Sequence, residues 1–208
     1  VSHDSIYNDL MTENLTNPTK KILIVCHSVH GNTLAMAREI ARGVEKIDQA
    51  GAVLRCVPPI TSAIDPVPAT LPESGPALVT GTDLNDCSAL IIGSPTRFGN
   101  MASAVKYFLD GTGGQWASAS LAGKPGGVFT STATLHGGQE ATLLTMMIPL
   151  LHHGMIISGL PYSEKALSRT QSGGTPYGPS HLAGGDADRP MDSDEVELCR
   201  AFGQRIAQ

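Results

Sequence analysis

Short apolar runs alternate along this chain with segments whose apolar residues recur at helical spacing. The first run, Ile22-Leu23-Ile24-Val25-Cys26, is largely β-branched and has no polar alternation, the pattern of a strand buried on both faces of a parallel sheet. Further strands are expected at 52–57, 89–94, 126–131 and 155–158. After Thr33, the residues Ala37, Ile40, Ala41, Val44 and Ile47 share one helical face, while Arg38, Glu39, Arg42, Glu45 and Lys46 lie elsewhere around the helix. Met101, Val105, Phe108 and Leu109 mark a second helix. Leu143, Leu144, Met147 and Leu151 mark a third, which Pro149 should kink or end early. The last helix starts at Asp192, which can cap together with Glu195, and it buries Val196, Cys199, Phe202 and Ile206.

Two long segments have no such period. Six prolines between Pro58 and Gly81 predict a loop, and a second loop rich in Gly, Pro and Ser runs from Gly159 to Pro190. Long ordered loops are usually functional. Residues 1–19 are polar and aperiodic, which predicts a flexible N-terminal extension, and residues 20–208 read as one domain without internal repeats. Strands alternating with helices specify an α/β fold, a doubly wound parallel sheet with helices on both faces, and five strands suit the flavodoxin-like order.

A chain of 208 residues can bury about 70% of its unfolded surface in one such domain. The net charge of −5, with no basic cluster longer than Lys20-Lys21, argues against a nucleic-acid surface. Cys26, Cys56, Cys87 and Cys199 are far apart and form no C-x-x-C, so they read as reduced thiols of a cytoplasmic protein, and no metal site is expected. No window reaches the ~18 apolar residues of a membrane span, and residues 1–20 lack the apolar core of a signal peptide.

Candidate chemistry collects where strands end. The first run stops in Ser28-Val29-His30-Gly31-Asn32-Thr33 just before a helix, where unpaired amides, the helix dipole and two hydroxyls favour an anion. Neither G-x-x-x-x-G-K-[ST] nor G-x-G-x-x-G occurs there, so a phosphate held without lysine, as in the monophosphate FMN, suits the turn. An ordinary turn with Asn32 or Thr33 capping the helix is the alternative. The third strand is followed by Pro95-Thr96-Arg97-Phe98-Gly99-Asn100-Met101. The fourth is followed by Ser131-Thr132-Ala133-Thr134 and Gly137-Gly138-Gln139-Glu140. These strand ends offer amides, hydroxyls and small residues to the edge of a flat polar ring.

With these segments in view, the chain from about Lys21 onward resembles the WrbA family, flavodoxin-like FMN-dependent NAD(P)H:quinone oxidoreductases. The resemblance rests on 93–101, on Phe108-Leu109-Asp110, on 112–118, on Gly137-Gly138-Gln139-Glu140, on His152-His153-Gly154-Met155, on 173–178 and on Ala183-Gly184-Gly185-Asp186. It implies FMN held at its phosphate by Ser28 to Thr33, namely Ser28, Val29, His30, Gly31, Asn32 and Thr33. Pro95, Thr96, Arg97, Phe98 and Gly99 would lie at the ring, Ser131, Thr132, Ala133 and Thr134 along ribityl and ring, and His153 nearby. Trp116, His30 and Phe98 would bound a pocket shared by NADH or NADPH and a quinone, which demands ping-pong kinetics.

His153 is the candidate proton donor, since no carboxylate or lysine stands out as an acid. The resemblance also implies a homotetramer. A flavodoxin-type electron carrier and a regulatory protein of the tryptophan-repressor-binding type are the alternatives. The long loops at 58–81 and 159–190 favour the enzyme over the carrier, and the missing basic patch counts against the regulator. This chain departs from the family in carrying His30 where tyrosine is usual, in Leu135-His136, in Pro149 and in the extension before Lys20.

Overall fold

The computed structural model describes residues 18–60 and 75–208. The extension expected over residues 1–19, save its last two residues, and the middle of the proline-rich loop lie outside the described residues. Four strands form most of the sheet: β1 (Lys20–Cys26), β2 (Ala50–Cys56), β3 (Ala89–Arg97) and, after the short β4 (Asn100–Met101), β5 (Pro125–Thr132). With β6 (Ile156–Ile157) they give the parallel order β2-β1-β3-β5-β6. The order reverses between β1 and β3, so a crevice opens beyond their carboxyl ends.

The fifth strand position is divided. β6 pairs with the start of β5 at Pro125 and Gly126, and β7 (Ser180–Leu182) pairs in parallel with its end at Thr130 to Thr132. β7 thus arises inside the segment expected to be loop; three residues are too few to show a period. It brings the following residues to the carboxyl edge of the sheet.

Alternate side chains of the buried strands feed two cores. Ile22, Ile24, Cys26 and Ile91 pack under α1 (Asn32–Val44) and the C-terminal helix, and Leu23, Val25, Leu90 and Ile92 pack on the other face. That second face is covered by α2 (Gly81–Asp86), α3 (Ser103–Asp110) and, beyond the short α4 (Gly113–Ala117), α5 (Gln139–His152). After α6 (Ala166–Arg169), the chain ends in α7 (Ser193–Ala207), whose capping box pairs Asp192 with Glu195 as its sequence predicts. α2 was not anticipated, although Thr80 and Asp83 form a reciprocal cap at its start.

Two positions show how tightly the layers fit. A Cβ on Gly93 would stand 2.0 Å from the Phe129 ring, so β3 has no side chain there. The Cys26 thiol, in the core beneath α1, is pushed up to about 12 by burial and, less, by Cys56, which leaves it a packing group rather than a nucleophile.

Pro149 does not end α5, which continues to His152. Lying in the last turns, the proline forgoes only its own bond to Thr145, and its carbonyl still accepts from His153 N at 3.1 Å. Gly154 (φ 75°) then closes the helix, with Gly154 N bonded to Leu151 O and Met155 N to Leu150 O, the two bonds of a Schellman ending. None of the described helices is long and apolar enough to cross a membrane.

Candidate active site

β1 makes its last sheet contact when His27 N donates to Gly93 O at 3.1 Å, and the chain then turns into α1. Gly31 occupies the helix N-cap in the left-handed region (φ 90°), a conformation that glycine adopts at little cost. Neither Asn32 nor Thr33 caps the helix. Asn32 instead donates to Ala187 O at 2.8 Å, and Ser28 Oγ accepts from Leu34 N at 3.3 Å, so the simple-cap alternative does not hold. Among the described residues the amides of Val29 to Thr33 meet no acceptor, and neither does the hydroxyl of the buried Thr33. Open donors at a helix N-terminus suit an anion in charge and in hydrogen bonding.

These donors face a cavity of about 220 Å³. Ser28, Val29, His30, Asn32 and Thr33 supply one wall, Pro95, Thr96 and Arg97 a second, and Ser131, Thr132 and Ala133 a third. Thr96 is fixed from behind by Thr142 (Oγ1 to Oγ1, 2.7 Å), and Thr132 donates to Thr134 O at 2.9 Å. The fourth wall is Ala183, Gly184, Gly185 and Ala187. In sequence this wall begins Ala183-Gly184-Gly185-Asp186, to which no role attaches from sequence alone; its small residues, which let backbone approach a ligand, are the available signal.

Of the residues expected at the cofactor, Gly31, Phe98, Gly99 and Thr134 do not line this cavity. Phe98 (φ 53°) and Gly99 (φ 75°) form the tip of the β3–β4 hairpin, where consecutive left-handed residues match the twist of a two-residue turn. A bulky residue held left-handed is strained, and the Phe98 ring is fully exposed.

Trp116 and His153 lie apart from the first cavity and line another of about 570 Å³ with Asn100, Lys106, Thr112 and Ile148. His153 Nε2 is 2.8 Å from Thr112 Oγ1, whose own proton goes to Leu109 O at 2.7 Å. The histidine must therefore donate through Nε2, which leaves the lone pair on Nδ1. That atom is buried and has no hydrogen-bond partner among the described residues. Burial, followed by neighbouring His152, holds the imidazole below the ordinary histidine range. An orphaned buried acceptor marks a place where a partner is due.

A third cavity, of about 560 Å³, links the two. It shares Arg97 with the first and Asn100, Met101 and Lys106 with the second. His27 also lines it, its pKa lowered by burial and then by the Arg97 charge.

The first cavity fits a phosphomonoester with a flat ring attached. Its open amides and the Thr33 hydroxyl suit the phosphate, and its lining holds one cation, Arg97, and no carboxylate that would repel a dianion.

Known proteins point the same way. The model of a family described as NADPH-dependent FMN reductase matches residues 20–165. A protein named NAD(P)H dehydrogenase (quinone) from Solidesulfovibrio magneticus is 45% identical over 193 residues, covering 89% of this chain and 95% of its own. Its namesake from Geobacter sulfurreducens is 43% identical, covering 90% and 96%. Among solved structures, a flavodoxin, WrbA-like protein from Agrobacterium tumefaciens superposes with a TM-score of 0.62 at 25% identity, covering 90% of this chain and 95% of its own. Oxidised flavodoxin 1 from Bacillus cereus, at 18% identity and a TM-score of 0.57, shares the fold. By its sequence and its fold, this chain belongs to the NADPH-dependent FMN reductase family.

Proposed function

We propose that this protein, in a single domain over residues 20–208, is an FMN-dependent NAD(P)H dehydrogenase that reduces quinones to hydroquinones. The observation that carries the reading is a phosphomonoester cavity at the β1–α1 turn, in a chain 41–45% identical to proteins named NAD(P)H dehydrogenase (quinone). Bound FMN supplies hydride acceptance from NAD(P)H and two-electron delivery to a quinone.

The residues divide the remaining work. The amides of Val29 to Thr33 and the Thr33 hydroxyl hold the phosphate, and Arg97 offsets its charge. Thr96 and Ser131 to Ala133 orient ribityl and ring. Phe98 and Trp116 bound the space into which two flat substrates must fit in turn, through shape and ring contact. His153 has spent its Nε2–H on Thr112, so it meets the quinone through Nδ1. Its depressed pKa keeps the imidazole mostly neutral at neutral pH, so it would take up a proton at Nδ1 from solvent and pass it to the quinone oxygen as the hydride arrives.

Assembly as a homotetramer would bring the Trp116–His153 cavity of one protomer over the flavin cavity of another. Two features support this. The two cavities share no residue within one chain, and Leu144, Ile148 and Leu151 expose an apolar stripe along α5, of which Ile148 lines the same cavity as Trp116. A cytoplasmic location agrees with four unpaired cysteines.

Steady-state rates measured against NADH at several fixed benzoquinone concentrations test the function. Parallel double-reciprocal lines are expected; intersecting lines would refute a shared site visited in turn.

A further inference from the structure

We infer that the unit running from β7 to Arg189 is a closing wall of the mononucleotide cavity, and that Asn32 and His181 are positioning residues that set how firmly it closes. The inference rests on the FMN reading above and concerns what retains the cofactor.

The wall itself is nearly all backbone. Ala183, Gly184, Gly185 and Ala187 face the cavity, and of these only Ala183 is buried. A loop whose single buried side chain is an alanine holds its place mainly through hydrogen bonds, and here they fall into two groups. At the rim, Ala187 N donates to Gly184 O at 3.1 Å, and Asn32 from α1 clamps Ala187 O at 2.8 Å. Ala187 sits left-handed at φ 57° without being glycine, a strain that persists only where the surroundings impose it. The Asn32 clamp is the contact that crosses the cavity mouth and imposes it.

At the base, Ala183 N donates to Thr132 O at 2.8 Å and Arg189 N to Ala183 O at 3.0 Å, which pinches the loop shut. Arg189 Nη1 donates to Leu182 O at 2.7 Å, and Arg189 O lies 3.1 Å from His181 Nε2. The other ring nitrogen, Nδ1, is 2.9 Å from Glu195 Oε2. Both partners of His181 are acceptors, so meeting both takes a proton on each nitrogen. Glu195 is fully buried on α7 and also accepts from the amides of Gly173, Leu182 and Asp192. His181 thereby ties the far end of the loop to the helix that closes the core.

The position of the wall therefore depends on a clamp at the mouth and a latch at the root, and a bound mononucleotide leaves when either yields. Neither residue reaches the reacting atoms. The side chain of Asn32 is committed to Ala187, and His181 is buried behind Ser131, its register partner.

The test uses Asn32→Ala, which keeps a good helix former at the start of α1, and His181→Asn, which retains a donor toward Glu195 and loses the one toward Arg189. Amide hydrogen exchange is followed in the apo-proteins, and FMN release is timed after dilution of the loaded ones. In Asn32→Ala the expected result is protection lowered about three- to tenfold at 184–189 only, with an unchanged denaturation midpoint; His181→Asn also lowers the midpoint, because it leaves a buried acceptor unpaired, and both variants release FMN faster by a similar factor. Riboflavin in place of FMN reports whether the loss passes through the phosphate. Unchanged exchange and release in Asn32→Ala would overturn the wall even if His181→Asn failed to fold. A wild type that takes up no FMN would overturn the flavin reading itself, a different and separately visible failure.

Discussion

Replacing Thr33 with valine isolates the phosphate contact, because the two side chains are nearly the same size and shape and differ by one hydroxyl. Thr33 is 2% exposed, it lines the first cavity, and its hydroxyl serves no other group among the described residues. Its removal therefore costs the apo-protein little, and valine and threonine have similar helix propensities. In the complex the hydroxyl donates to a charged oxygen, and such a bond contributes about 1.5–3 kcal/mol. The FMN dissociation constant of Thr33→Val should thus rise roughly ten- to 150-fold. Titrating apo-protein with FMN by flavin fluorescence, beside riboflavin, separates phosphate from ring. Riboflavin affinity should be unchanged, and Thr33→Ser should restore most FMN binding. Equal FMN affinity in Thr33→Val and wild type, or an equal loss for riboflavin, would refute the assignment of the turn to the phosphate.

Four further outcomes follow from the packing, the buried Glu195 network and the second cavity. Gly93→Ala should lower stability by about 1–3 kcal/mol in chemical denaturation, because its Cβ would overlap the Phe129 ring, and pairing it with Phe129→Leu should recover part of the loss. Glu195 is held below its ordinary range; burial alone would raise it, but the hydrogen bond from His181 and the backbone donors win. Its stabilising contribution is therefore present above the unfolded value near 4.5 and lost as pH falls through the folded one, so Glu195→Gln should flatten the acid limb of the stability curve; an unaltered limb counts against the network. Trp116→Ala should leave FMN bound and weaken substrate capture by about 0.5–1.5 kcal/mol, whereas His153→Ala should slow reoxidation by quinone ~10²-fold and spare reduction by NADH. Anaerobic stopped-flow resolves the two half-reactions, and an unchanged reoxidation rate would reduce His153 to a prop for Thr112.

Periodicity was enough for the strands that run through the core. Ile22 to Cys26 and Ala89 to Ile92 are apolar at every position because both faces are covered, and that pattern belongs to few other structures. The turn at Ser28 to Thr33 was legible for a similar reason: a glycine beside hydroxyls at the end of such a strand has a restricted set of uses. β7 and the wall at Ala183 to Ala187 left almost no local trace. Their position follows from hydrogen bonds to β5, Asn32 and Glu195, partners distant in the chain, and small residues carry no periodic signal. Pro149 misled because its cost depends on place. Near the end of α5, where a glycine ending takes over the last carbonyls, one lost bond is tolerated. Placement of Trp116 and His153 in a cavity separate from the first was beyond sequence reasoning, since strand-end chemistry says nothing about which surface of a neighbouring helix faces the same crevice.

The central claim is that this chain binds FMN and passes electrons through it from a nicotinamide nucleotide to a quinone. Its most direct test is the visible spectrum of the FMN-loaded protein under anaerobic conditions, recorded before and after NADH or NADPH and again after benzoquinone. The account predicts a flavin spectrum that bleaches in one two-electron step with the nucleotide and returns in full with one equivalent of quinone. A flavin that stays oxidised with both nucleotides, or one that is reduced but not reoxidised by quinone, would contradict it.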